Sequence, residues 1–318
     1  MTESKTTTEQ PAMGASPTYG AMFTGVLKTL RPHQWVKNVF VLAPLFFSKA
    51  FLDPSSLALG LGAALLFCLT SGAVYLLNDV FDVEKDRNHP VKRNRPVASG
   101  QLPIGVAKSA AVALGFGSVL TAFFVDPRFG AVLGSYLAMN FAYSASLKHL
   151  AFIDVGIIAT GFVLRVVAGA LAIDVYISEW LFGCTFLLAL YLGFGKRQHE
   201  LRMVQQGRAD KVRKVLERYH PEHLDFTVLF VAGLTIACYT VYTLTASLPN
   251  QPLRSQATPF ASPYLPVTIP FVVFGITRFY QLINKNSPHS PTDLLLRDIP
   301  FLVNGALWGI AIIALFFI

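Results

Sequence analysis

Asp79, Asp82 and Asp86 recur at i, i+3 and i+7 in the stretch Asn78-Asp79-Val80-Phe81-Asp82-Val83-Glu84-Lys85-Asp86. On a helix that spacing puts their carboxylates on one face, and Asn78 lies one turn before Asp82. Carboxylates so placed suit a hard divalent cation such as Mg²⁺, which takes oxygen ligands and shares them with substrate phosphates. The expected metal ligands are Asp79, Asp82 and Asp86, with Asn78 assisting. Arg87, Lys92, Arg93 and Arg95 follow closely, and such cations neutralise the remaining charge of a metal-bound diphosphate.

Further candidates stand elsewhere in the chain. Lys37 and Asn38 end the patch Arg31-Pro32-His33-Gln34-Trp35-Val36-Lys37-Asn38 and are placed to reach the same cavity. Lys196, Arg197 and Glu200 form a second, cationic edge in Lys196-Arg197-Gln198-His199-Glu200-Leu201. Tyr143 and Lys148 belong to a short turn, with Asp154 nearby. Arg165 falls well inside an apolar stretch, where a guanidinium needs a partner. Cys68, Cys184 and Cys238 lie remote from one another in apolar segments and read as core residues. His199, His220 and His223 share a connection without metal-ligand spacing, and no Ser-His-Asp set or Gly-rich phosphate loop appears.

The elements that must position these groups are membrane helices. Of 318 residues, 53% are hydrophobic and only 14% charged, and the mean hydropathy is +0.50. Soluble domains carry about 25% charged residues, so a water-soluble enzyme is excluded on composition. Apolar stretches of about 20 residues, long enough to span a bilayer, recur about nine times. They fall at 34–52, 56–77, 104–125, 129–146, 150–173, 178–195, 224–247, 262–283 and 300–318, with Pro44 and Pro270 interrupting two of them. The predicted fold is an all-α polytopic bundle with a cavity facing the cytoplasm. Residues 1–22 read as a disordered tail without the apolar core of a signal peptide, and 23–318 as one transmembrane catalytic domain.

Lysine and arginine placement sets the orientation. The connections near 78–103 and 196–223 hold most of the cations, with Lys28, Arg31, Lys37 and Lys148 on the same side. The opposite connections offer little beyond Lys49, Arg128 and Arg254. The acidic motif therefore faces the cytoplasm. This bias accounts for the net charge of +8 without nucleic acid, for which no motif is present. Val212, Val215, Leu216 and Tyr219, interleaved with Lys211, Arg213, Lys214 and Arg218, predict a short amphipathic helix on the membrane surface.

The Asn78-Asp79-x-x-Asp82-x-x-x-Asp86 motif, Arg93-Asn94-Arg95-Pro96 and the multi-span outline resemble the UbiA-type intramembrane prenyltransferase superfamily. The resemblance covers nearly the whole chain from about residue 24. It implies an all-helical bundle whose acidic motif binds Mg²⁺ and a diphosphate. Typical members carry a second aspartate-rich motif, and here that region reads Gly195-Lys196-Arg197-Gln198-His199-Glu200-Leu201. This departure, with Arg31-Pro32-x-Gln34-Trp35-x-Lys37-Asn38, resembles the bacterial decaprenyl-phosphate phosphoribosyltransferases. That likeness implies 5-phosphoribosyl-1-diphosphate (PRPP) as donor and a polyprenyl phosphate as acceptor, in the inner membrane of a bacterial cell.

On this reading Asp79, Asp82, Asp86 and Lys37 are the catalytic set. Asn78, Asn38, Arg87, Arg95, Tyr143, Lys148, Arg165, Lys196, Arg197 and Glu200 bind substrate. The partners are PRPP, the polyprenyl phosphate and membrane lipid, and a homo-oligomer is compatible with the sequence. Two rival readings remain at this point. One is a prenyltransferase acting on an aromatic or tetrapyrrole acceptor, and the other a transporter of a phosphorylated lipid, in which charges would line a pathway.

Overall fold

Proline and aspartate punctuate the chain at one end of the bundle. In the computed structural model Asp53 precedes α3 (Pro54–Phe81) and accepts the Ser56 N–H at 2.9 Å, with Pro54 as the first helical residue. Asp126 does the same between α5 (Ile104–Val125) and α6 (Pro127–Ala145), accepting the Arg128 and Phe129 N–H groups at 2.6 and 3.2 Å. One capping residue thus suffices to reverse the chain there.

The structure describes residues 18–177, 179–207, 215–247, 262–285, 287, 291–315 and 317, and these contain helices and no strand. The expected disordered tail up to residue 17 and the basic residues Lys211, Arg213 and Lys214 lie outside the described residues. Besides those above, the helices are α1 (Tyr19–Thr29), α2 (Ala43–Phe47), α4 (Val83–Arg87), α7 (Ile153–Ala172) and α8 (Glu179–Gln205). They continue with α9 (Pro221–Ser247), α10 (Ile269–Ile283), α11 (Pro291–Arg297) and α12 (Ile299–Leu315).

Two packed halves meet along α7 and α8. In the first, α3 packs on α5, α6 and α7 around Phe67, Phe129, Leu133 and Tyr136. In the second, α8 packs on α9 and α10 around Tyr191, Leu224, Val228 and Phe279. Large apolar side chains such as Phe116, Phe124, Phe226 and Ile310 point outward, which suits a hydrocarbon surrounding. Five segments are long and apolar enough to cross a membrane: Pro54–Phe81, Ile104–Val125, Ile153–Ala172, Pro221–Ala246 and Leu265–Ile283. Helices α6, α8 and α12 occupy three further expected spans, without meeting the same length and apolarity.

The expected first span, 34–52, is corrected. It is a run of 3₁₀ turns over Pro32–Leu42, the short α2, and another 3₁₀ turn over Ala50–Leu52. Pro44 stands in the first turn of α2 and Lys49 sits at φ 59, so no single helix runs through. This irregular segment presses closely on α7. A Cβ added at Gly169 would overlap the Val41 carbonyl oxygen, so only glycine admits the contact. Irregular backbone inside a membrane bundle is tolerated where protein buries it or where it lines a cavity.

Candidate functional site

Helix α3 stops at Phe81, Asp82 takes a non-helical φ,ψ of −94°, 7°, and α4 resumes at Val83. The helical hydrogen bonds carry on across the break: Asp82 N–H reaches the Asn78 carbonyl at 3.0 Å and Asp86 N–H the Asp82 carbonyl at 2.8 Å. The face shared by the three aspartates is therefore only partly kept. Asp79 and Asp86 are each 2% exposed and turn to the same guanidinium. Arg95 Nη1 lies 3.2 Å from Asp79 Oδ1 and 2.6 Å from Asp86 Oδ2. Arg31 Nη2 donates to the same Asp79 oxygen at 2.7 Å. Asp82 instead meets Lys148 Nζ at 3.3 Å, and Asn78 accepts a hydrogen bond from Ser144 on α6.

The donors of this motif fit a divalent cation. Arg95 already places positive charge between two buried carboxylate oxygens. Among the described residues no three His, Cys, Asp or Glu side chains converge tightly enough to enclose a metal by themselves. Mg²⁺ does not require that, since it is commonly held by one or two carboxylates together with substrate phosphates and water.

A cationic wall stands beside the motif. Arg31, Lys196 and Arg165 lie near enough to Lys37 for their charges to act on its ammonium. Lys37 is half-buried, and among the described residues it has no carboxylate or hydrogen-bond partner. Arg165 is 6% exposed and reaches Asn38 Oδ1 at 2.8 Å, the Gly161 carbonyl at 2.8 Å and Tyr136 Oη at 3.0 Å. The rings of Phe67, Tyr136 and Phe162 surround its guanidinium at 5.0–5.2 Å. Quadrupoles of three rings help to hold a charge that no carboxylate neutralises among the described residues. Asn38 completes the relay by donating to Ser71 Oγ at 3.2 Å.

Arg197 is placed differently. Its Nε donates to Asp154 Oδ2 at 2.8 Å and its Nη1 to Glu200 Oε2 at 2.6 Å. Tyr219 Oη donates to the other Asp154 oxygen at 2.8 Å and accepts the Phe152 N–H at 2.7 Å. Burial raises the Tyr219 phenol above its ordinary value, as does the neighbouring carboxylate of Asp154, so the hydroxyl stays a donor. Arg197 thus ties α8 to α7 and, through Asp154 and Tyr219, to the connection before α9, while Glu200 braces it from within α8 and Tyr143 lies close by. Arg87 is occupied by Glu84 at 2.8 Å and by the Ala98 carbonyl at 3.4 Å, apart from the Asp79–Asp86 pair.

Of the residues anticipated from the sequence, Asp79, Asp86 and Arg95 come into direct contact, as do Asp82 and Lys148. Lys37, Lys196 and Arg165 gather beside them. Arg31, Ser144, Tyr136 and Tyr219 complete the arrangement and were not singled out as site residues. Arg31 had a signal, since it opens the patch that carries Lys37. The other three meet partners 66, 29 and 65 residues away and had none. Beyond Asn38 the irregular segment lines an apolar chamber of about 240 Å³ with Phe40, Pro44 and Phe47, closed opposite by Trp180, Tyr239 and Trp308.

The profile of the UbiA prenyltransferase family matches residues 39–308. The decaprenyl-phosphate phosphoribosyltransferase of Mycolicibacterium smegmatis is 34% identical over 291 residues, covering 89% of this chain and 91% of its own length. That of Corynebacterium glutamicum is 33% identical, over 91% of this chain and 86% of its own. A UbiA homolog from Archaeoglobus fulgidus, solved bound to GPP and Mg²⁺, superposes with a TM-score of 0.66 at 17% identity, over 92% of this chain and all of that one.

Proposed function

The chain belongs to the UbiA prenyltransferase family, and on that premise we propose that it transfers the 5-phosphoribosyl group of PRPP to a decaprenyl-type polyprenyl phosphate. The product is polyprenyl-phosphoryl-5-phosphoribose, a lipid-linked pentose. The observation that carries this reading is the pairing of two unlike walls. Buried Asp79 and Asp86 converge on one guanidinium, and Lys37, Lys196 and Arg165 gather beside them, Lys196 in the stretch where the family resemblance expects a second aspartate cluster. A donor with a diphosphate at one end and a phosphate at the other matches both walls. The relatives that align over most of their length bear the corresponding name.

Asp79 and Asp86, with Asp82 and Asn78 adjoining, would hold Mg²⁺. Bound there, the ion would neutralise the leaving diphosphate. Arg31 and Arg95 reach the same place and bind its outer oxygens. Lys37 and Lys196 hold the 5-phosphate or the acceptor phosphate, and Arg165 fixes Asn38, the residue next to Lys37. The acceptor phosphate oxygen attacks the anomeric carbon from the face opposite the diphosphate. It is already an anion, so no general base is needed, and positioning with charge stabilisation supplies most of the rate. The apolar chamber beyond Asn38 suits the first isoprenoid units of the acceptor. On this reading the charged mouth faces the cytoplasm of a bacterial inner membrane.

The test uses purified protein in detergent with Mg²⁺, labelled PRPP and decaprenyl phosphate. Label should pass into a lipid product, stop on chelation and resume when Mg²⁺ is returned. A folded protein that labels no lipid, yet prenylates an aromatic acceptor from an isoprenyl diphosphate, would overturn the assignment.

A further inference from the structure

Arg31 and Arg95 engage one oxygen each of Asp79 and Asp86, the two buried acids that would hold a divalent cation. We propose that these two arginines are resident counter-ions that exchange partners on loading, so that metal and diphosphate bind as a coupled pair and neither binds well alone. The proposal rests on the reading of the acidic motif as a metal–diphosphate site.

The geometry is specific. Arg95 Nη1 bridges Asp79 Oδ1 and Asp86 Oδ2, and Arg31 Nη2 donates to the first of these at 2.7 Å. Both aspartates are 2% exposed, whereas the arginine side chains are 26% and 28% exposed. The acids thus form the floor and the guanidinium groups the rim. Arg31 adopts φ 52, a left-handed conformation uncommon outside glycine, and its guanidinium also stacks over Tyr75 at 5.0 Å. The pairing is built into the chain reversal after α1 and is no casual surface contact.

The electrostatic consequence follows directly. On this exchange a metal ion arriving alone would draw Asp79 and Asp86 away from both guanidinium groups. It would leave them without counter-charge near Lys37, Lys196 and Arg165, which are themselves cations. A diphosphate arriving alone meets arginines already engaged and carboxylates that repel it. When the two arrive together each loss is made good. The carboxylates take the metal, and the arginines turn to phosphate oxygens, which their planar fork fits as well as it fits a carboxylate. Coupling of this kind is reciprocal, so diphosphate tightens metal binding by the factor by which metal tightens diphosphate binding. After transfer, loss of diphosphate lets the arginines return to the acids and expel the metal.

The experiment measures Mn²⁺ binding to the full-length protein in detergent by equilibrium dialysis, with and without inorganic diphosphate. Bound Mn²⁺ is read from its paramagnetic resonance signal and corrected for the soluble Mn²⁺–diphosphate complex. Wild type should bind Mn²⁺ weakly alone and about tenfold or more tightly with diphosphate, within the roughly 5–150-fold usual for coupled ligands. In Arg31→Gln/Arg95→Gln, Mn²⁺ alone should bind about tenfold better than in wild type, with the diphosphate effect reduced to about threefold or less. If that protein does not fold, Arg31→Lys serves instead, and reduced coupling is again expected. Wild type that binds Mn²⁺ equally well with and without diphosphate would overturn the exchange while leaving the metal site intact, as would undiminished coupling in the variants. No Mn²⁺ bound under any condition would overturn both the exchange and the metal–diphosphate reading.

Discussion

Arg197 Nε donates to Asp154 Oδ2 at 2.8 Å, with the two side chains only 3% and 0% exposed. The pair joins α8 to the first turn of α7, and Tyr219 clasps the same carboxylate from the connection before α9. A charge pair so removed from water contributes little net energy when intact, but losing one partner strands the other. Asp154→Ala leaves Arg197 with the partly exposed Glu200 as its one carboxylate among the described residues and takes the acceptor from Tyr219, so it should lower unfolding stability by up to about 3–5 kcal/mol. Tyr219→Phe should cost about 1–2 kcal/mol, because it leaves one acceptor oxygen and the Phe152 N–H unsatisfied. Thermal unfolding in detergent checks both, and an Asp154→Ala protein as stable as wild type would mean that Glu200 or water suffices to satisfy Arg197.

Asp82 is the motif carboxylate that stands apart, half-exposed and paired with Lys148. Its replacement exposes no buried partner, so Asp82→Ala should fold normally. Its turnover should fall about 10²–10³-fold, as when one electrostatic transition-state group is removed. A folded Asp82→Ala with wild-type turnover would remove Asp82 from catalysis. Lys148→Met should have the smaller effect and act mainly on KM.

Arg165 has directional bonds to Asn38, Tyr136 and the Gly161 carbonyl. Lysine keeps the charge but cannot reproduce that fork. Arg165→Lys should lose about 1.5–3 kcal/mol of stability for each charged hydrogen bond not replaced. With Asn38 released, KM for PRPP or for the lipid phosphate should rise. Unaltered stability and KM would show that the three bonds are dispensable.

Gly169 lies where α7 touches the Val41 backbone. Gly169→Ala forces the segment carrying Lys37 and Asn38 away from the helix, since the obstacle is backbone and has no rotamer to adopt. An overpacking cost of about 1–3 kcal/mol is expected, together with reduced kcat. The neighbouring substitution Leu171→Ala, which changes no glycine contact, separates simple loss of packing from displacement of the segment. Equal kcat losses in the two would argue against displacement.

Much of the site was legible in the chain because its signals are local. The aspartate spacing, the cations after it and the Lys196-Arg197 edge can be read within about two helix turns or one connection, and the helical period placed Asp79 and Asp86 together though the break at Asp82 turned that residue aside. The first span was misread for an equally local reason. Its composition suits a bilayer, but Pro44 and the positive φ at Lys49 break it into 3₁₀ and α-helical pieces. The roles of Arg197 and Arg165 could not be read from spacing. Each depends on partners 43 and 127 residues away, Asp154 and Asn38.

By itself the amino-acid sequence determined the class of molecule, a helical membrane protein with an acidic motif at the end of one span. Hydropathy, charge asymmetry and helical period act over short stretches, and a bilayer leaves a chain of this composition few alternatives. Tertiary structure decided which cation meets which acid. It alone brought Arg31 and Arg95 onto Asp79, sent Asp82 to Lys148, and turned Arg197 inward to Asp154. Those choices depend on how helices distant in sequence pack, and charge pairing across them is set by ångström-scale placement that no local pattern encodes.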